Sequence, residues 1–216
     1  MPAELKTLDL DAMPSFYETE AAPVRNAGRS IRADYKHCRR VEKRRYLRMQ
    51  QVGAAADHIG TLPVRGESLH AVMSGSYHLF AIVTAILKLA EPVTMKRLTV
   101  GTLSFNKDNA AELLDLIDRG KIAKCDFVCS CYYKSAEPEV FDGFVSEMQQ
   151  RGQRVVAVRN HAKLLLAEMS DGNAYVVESS ANLRSCHNAE QWTMTNDLEL
   201  LEFHRGWLEE FFEEQA

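Results

Sequence analysis

The chain has 216 residues, 46% of them hydrophobic and 26% charged, with a formal net charge of −4 at pH 7. That composition belongs to a soluble globular protein, long enough to bury roughly 70% of its unfolded surface. No apolar run approaches the ~20 residues of a membrane span, Met1-Pro2-Ala3-Glu4 lacks the apolar core of a signal peptide, and five cysteines are an odd number for a disulfide framework, so a cytoplasmic protein with no membrane role is expected.

The small net charge conceals two unlike parts. Residues 25–48 hold ten Lys or Arg against Asp34 and Glu42, whereas residues 49–216 hold fifteen basic and twenty-three acidic residues. A run with few breakers from Asp34 to Ala56 predicts a helix, and Arg39, Arg40, Lys43, Arg44, Arg45 and Arg48 give it a cationic face. Such a face fits sequence-independent binding to DNA or RNA phosphates; a solvated surface or a dimer-contact arm fits it too. An anionic membrane fits less well, because the helix lacks a bulky apolar face. The division expected is a basic, partly helical extension over residues 1–60 and a second domain over residues 61–216.

From about Glu67 the pattern alternates between strand and helix. Leu69–Met73 reads as a strand, Ser74-Gly75-Ser76 as a tight turn or an anion-binding cap, and Tyr77–Leu89 as an apolar helix. Arg97–Leu103 is the next strand, and Asn106 caps a helix from about Asp108 to Arg119 that Gly120 closes. Cys125–Tyr133 reads as a buried strand whose cysteines lack zinc-knuckle spacing and behave as small hydrophobes. A helix over Pro138–Gln150 and a strand over Arg154–Val158 follow. This succession predicts an α/β fold, a mainly parallel mixed sheet flanked by helices.

The segment Asn160–Ala167 is short and apolar enough for a strand, which would point His161 and Lys163 to one face. Asp171-Gly172-Asn173 is hairpin-turn chemistry, and Ala174–Glu178 returns as the partner strand. The hairpin delivers Ser179, Ser180 and Asn182 just beyond its end, where short polar side chains and amides can hold phosphate oxygens beside Lys163. Asn188-Ala189-Glu190 precedes a strand over Gln191–Thr195, and an aromatic helix from about Leu198 to Phe212 ends the domain. Each fragment alone has an ordinary reading: an exposed polar strand edge, a loop, a helix start. Their order and close spacing distinguish them.

His161-x-Lys163-x4-Glu168, then Ser179-Ser180-x-Asn182, then Asn188-x-Glu190, resembles the H-x-K-x4-D, G-S-x-N and N-x-E pattern of the phospholipase D (HKD) superfamily. Two positions depart from it, Glu168 for aspartate and Ser179 for glycine, and together with Asn188 they are taken as supporting positions. The resemblance implies that His161 attacks phosphorus to form a phosphohistidine that water then hydrolyses. It implies that Lys163 and Asn182, with Ser180, hold and stabilise the phosphate oxygens, and that Glu190 orients the imidazole. Neither metal nor cofactor enters this scheme. The family uses a second histidine as general acid, and no second H-x-K occurs: His70-Ala71-Val72 has the spacing without the lysine. A homodimer with facing His161 residues is therefore implied. The expected activity is that of a metal-independent phosphodiesterase, a nuclease acting on DNA or RNA. The alternatives are a catalytically weak nucleic-acid-binding module that keeps the phosphate pocket, and a subunit of a larger complex.

Overall fold

The computed structural model describes residues 47–184 and 188–214. Helix α1 covers residues 47–59, and its Ala55, Ala56 and Ile59 are buried in the main core, so it packs as part of the body. Then follow β1 (Ser68–Met73), α2 (Ala81–Leu89), β2 (Met95–Thr102), α3 (Lys107–Asp118), β3 (Ile122–Ser130), α4 (Cys131–Ala136) and α5 (Pro138–Gln150). The chain continues through β4 (Arg154–Val158), β5 (Leu164–Met169), β6 (Ala174–Ser179), β7 (Glu190–Asn196) and α6 (Leu198–Glu213). Among the described residues no helix is long and apolar enough to cross a membrane.

The strands form one sheet in the order β1-β7-β6-β5-β2-β3-β4. The α/β class and the mixed sheet flanked by helices agree with the sequence. Five strands run the same way and only β5 and β7 are reversed. Because those two lie between forward strands, β2–β3 and β3–β4 are the only parallel ladders, and the other four are antiparallel. The mainly parallel reading thus holds for strand direction and not for strand pairing. Hairpin-length connections force this: the turn after Met169 returns β6 directly beside β5.

Period-two alternation builds two cores. Leu165, Ala167 and Met169 of β5 face the main cluster with Phe80, Phe105, Phe127 and Trp192, while Leu164 and Leu166 join Val128, Val156 and Val176 under Leu201 and Leu208 of α6. Phe105 stands edge-on to Phe127 at 5.2 Å and 4.8 Å from Phe144, where α5 meets the sheet. Asn106 caps α3 reciprocally: its Oδ1 accepts from Asn109 N–H at 2.8 Å, and Asn109 Oδ1 accepts from Asn106 N–H.

Two boundaries differ from expectation for local reasons. Strand β3 stops at Ser130, whose Oγ accepts from Tyr132 N–H, so Cys131–Tyr133 open α4 and do not extend the strand. Cys125 and Cys129 are buried, and burial pushes the Cys129 thiol up to about 12. Helix α2 begins at Ala81 and not at Tyr77: its N-cap is Phe80, without a side-chain cap, and ahead of it His78 Nδ1 accepts from Ala81 N–H at 3.1 Å.

His78 is 9% exposed; its pKa is lowered to about 4 by burial, with Arg48 adding to the shift and Asp108 opposing it. At neutral pH the ring is uncharged in both folded and unfolded chains. As pH falls through about 6.5 the unfolded chain takes the proton first, so stability should drop by about 2–3 kcal/mol between pH 6.5 and 4. Urea unfolding of the wild type and of His78→Asn at pH 7 and 4.5 checks this: the variant should show the smaller loss, and equal losses would exclude His78 as the source.

Candidate active site

The reversed direction of β5 and β7 brings their first residues to the edge of the sheet where β2, β3, β4 and β6 end. Lys163 precedes β5, Glu190 opens β7, and Ser179 closes β6. From β4 the chain must pass β3 and β2 to reach β5. At about 4.8 Å per strand that is about 14 Å, so residues 159–163 run with little slack across the strand ends.

Asn160, 6% exposed, pins this crossing. Its Oδ1 accepts from Ala162 N–H at 2.9 Å, while Nδ2 donates to Thr102 O at 3.3 Å and to Val128 O at 3.5 Å, near the ends of β2 and β3. Asn160 thus turns the backbone at the position where the sequence predicts a strand. The strand begins only at Leu164, where pairing with Gly101 becomes available. His161 and Lys163 therefore lie in a loop, and strand alternation does not bring them together.

The Lys163 side chain folds back onto His161. Its Nζ donates to the His161 carbonyl at 2.7 Å and meets the ring at Nδ1 (2.9 Å) and Nε2 (3.3 Å). An ammonium only donates, so wherever Nζ bonds to the ring it takes the lone pair of an unprotonated nitrogen. Burial lowers the Lys163 pKa from its ordinary value, and the Glu190 carboxylate opposes that shift. Glu190 and Lys163 are thus electrostatic neighbours at one edge.

The Ser179–Asn182 loop is tied to both neighbours. Ser179 N–H donates to Lys163 O at 3.1 Å, and Ser180 N–H to Gln191 O at 3.0 Å. Ser180 Oγ donates to Glu190 Oε2 and accepts from Gln191 N–H at 3.1 Å. Ser179, standing where the pattern has glycine, braces the loop: its Oγ donates to Gln191 O and accepts from Ala181 N–H, each at 3.0 Å. Ala181 and Leu183 are buried in the main core on either side of Asn182. Among the described residues the Asn182 Oδ1 is buried without a hydrogen-bond partner.

The structure therefore brings His161, Lys163, Ser179, Ser180, Asn182 and Glu190 to one edge, with Asn188 exposed two residues ahead of Glu190. It does not bring Glu168 there. That residue lies five positions along β5, about 17 Å away at strand rise, and accepts from Arg205 Nη1 of α6 at 2.7 Å. Its support goes to helix packing. The expected hydrogen bond from the imidazole to Glu190 is also not formed; Glu190 is engaged by Ser180. Arg39, Arg40, Lys43, Arg44 and Arg45 lie outside the described residues, and Arg48 reaches Glu112 of α3 at 3.8 Å.

The other described histidines are engaged elsewhere: His58 with Tyr77 Oη, His70 with Thr193 Oγ1, His78 with Ala81 N–H and His204 with Glu178. An open groove of about 680 Å³ runs from Ser179 and Ser180 along β7 to His70 and Val72. Among the described residues no group of three or more His, Cys, Asp or Glu is arranged to hold a metal ion. Asn160 is the functional position that sequence reasoning missed, since its contacts are to strands far away in sequence.

A mixed sheet flanked by helices, with these groups at one edge, is the arrangement that the phospholipase D resemblance implies. No protein-family model matches the sequence, and no curated protein matches it significantly. Similar solved structures include the phospholipase D family member Nuc from Salmonella typhimurium, at 16% identity over 68% of this chain and 95% of that one, with a TM-score of 0.48. NucT from Helicobacter pylori is similar at 16% identity over 68% of this chain and 97% of that one, TM-score 0.49. TrmBL2, an archaeal chromatin protein, is similar at 13% identity over 85% of this chain and 66% of that one, TM-score 0.44.

Proposed function

We propose that the protein is a metal-independent phosphodiesterase, a nuclease that cleaves DNA or RNA through a phosphohistidine on His161, with the site shared across a homodimer. The observation that carries the reading is the Lys163 ammonium held 2.9 Å from His161 Nδ1, at the same edge as the Ser180–Asn182 loop. A bound phosphate draws Lys163 to its own oxygens and releases Nδ1 from the ammonium. The imidazole lone pair then forms a bond to phosphorus while the bond to the leaving oxygen breaks. Lys163 and the Asn182 amide hold the non-bridging oxygens as charge gathers on them. His161 of a second copy, as the doubly protonated imidazolium, gives one proton to the leaving oxygen and, now neutral, takes one from the water that hydrolyses the phosphohistidine.

A second reading, a binding module with weak turnover, is favoured by one observation. Glu190 accepts from Ser180 and leaves the imidazole without a carboxylate to orient it. Incubation with single- and double-stranded DNA and RNA in excess EDTA separates the two. Cleavage that survives chelation is the expected result; tight binding without cleavage would establish the module. The shared site also requires a dimer in solution, so a strict monomer that cleaves efficiently would overturn that part.

A further inference from the structure

We infer that Arg159 and Arg184 bind the phosphates on either side of the scissile one, an assignment that rests on the phosphodiesterase reading and names the polymeric character of its substrate. Nine arginines lie among the described residues, and seven are committed. Arg48 reaches Glu112, Arg65 donates to Gly172 O, and Arg97 and Arg154 share Asp126 and Glu209. Arg119 pairs with Asp115, Arg151 with Asp118 and Glu147, and Arg205 with Glu168. Arg159 and Arg184 are exposed and, among the described residues, make no hydrogen bond or ion pair.

Their positions are not scattered. Arg159 stands two residues before His161, at the β4 end of the crossing segment that Asn160 pins, and Arg184 stands two residues after Asn182. Each thus adjoins, in the chain, one half of the proposed phosphate pocket, on a body with an acidic surplus. An unpaired guanidinium is a ready bidentate ligand for phosphate. A phospholipid carries a single phosphodiester, so cations on both sides of the pocket would face none of its phosphates. A nucleic-acid strand has a phosphate on each side of the one being cut. The two arginines thus favour a polynucleotide over a lipid.

The test compares wild type with Arg159→Gln, Arg184→Gln and the charge-preserving Arg159→Lys and Arg184→Lys. Two substrates are used, a single-stranded oligonucleotide and bis(4-nitrophenyl) phosphate, which has no flanking phosphates. Each glutamine variant should raise KM for the oligonucleotide about five- to tenfold and reduce the slope of log affinity against log salt by roughly 0.7. The lysine variants should recover most of both, and hydrolysis of the small diester should be unchanged throughout. Equal losses on the two substrates, or none on the oligonucleotide, would overturn the assignment. If the wild type turns over neither substrate, the phosphodiesterase reading falls by itself. Fluorescence anisotropy with the same oligonucleotide then decides: a smaller salt slope in the glutamine variants supports the subsites, and an unchanged slope refutes them. Loss of binding to phosphatidylserine vesicles in place of the oligonucleotide would also overturn the assignment.

Discussion

Replacing His161 with alanine is expected to abolish phosphodiester cleavage, lowering kcat by about 10⁴-fold or more, because it removes the group proposed to bond to phosphorus. Binding should persist, since Lys163 and the Asn182 amide remain to hold phosphate oxygens. The fold should persist too: His161 is exposed, and among the described residues its side chain hydrogen-bonds only to Lys163. Turnover of a substrate labelled at the scissile phosphate, quenched with denaturant at alkaline pH because the P–N bond of a phosphohistidine is acid-labile, should leave label on the wild-type protein and none on His161→Ala. A variant that still cleaves within tenfold of wild type, or still takes up label, would remove His161 from the chemistry.

The second large effect concerns stability and lies far from the site. Asp126 is 4% exposed and accepts from both Arg97 and Arg154 Nε, the latter at 2.6 Å. Both arginines also donate to Glu209 of α6, and Arg154 lies over the Phe212 ring at 4.4 Å. Asp126→Ala leaves two guanidiniums facing one carboxylate at the junction of α6 and the sheet. Loss of one member of a buried pair costs about 3–5 kcal/mol, and the partial exposure of both arginines reduces this to about 2–3 kcal/mol. Chemical denaturation should show the lower midpoint, with catalysis of the still-folded protein unchanged. A midpoint equal to wild type would make the cluster energetically idle.

The two effects mirror what the sequence makes legible. Residues that act through local spacing could be read: the β5–β6 hairpin follows from Asp171-Gly172-Asn173, the α3 cap from Asn106, and the pocket loop from its place after β6. Contacts between distant segments could not. Asn160 earns its role from Thr102 and Val128, and nothing beside it in the chain announces that. The same blindness explains Glu168, whose place in the pattern drew it to the site while Arg205, thirty-seven residues on, draws it to α6. The start of β5 differs from the expected strand because apolar composition describes Leu164–Ala167 well and ignores the Asn160 side chain that competes for the backbone ahead of it.

The small turn after β5 also sets the geometry of the distant pocket. Leu164 pairs with Glu178 and Glu168 with Ala174, so the length of the turn decides which β6 residue arrives beside Lys163. Gly172 holds φ at +88°, and a Cβ there would meet Arg65 Nη2 at 3.2 Å, which leaves little freedom to redraw the bend. One inserted residue would slip β6 by about 3.4 Å and turn its side chains to the opposite face. Ser179 and Ser180 would then miss Lys163 and Glu190 although no residue of the pocket had changed. The turn works as a gauge block, and its length is as much a part of the proposed site as the histidine.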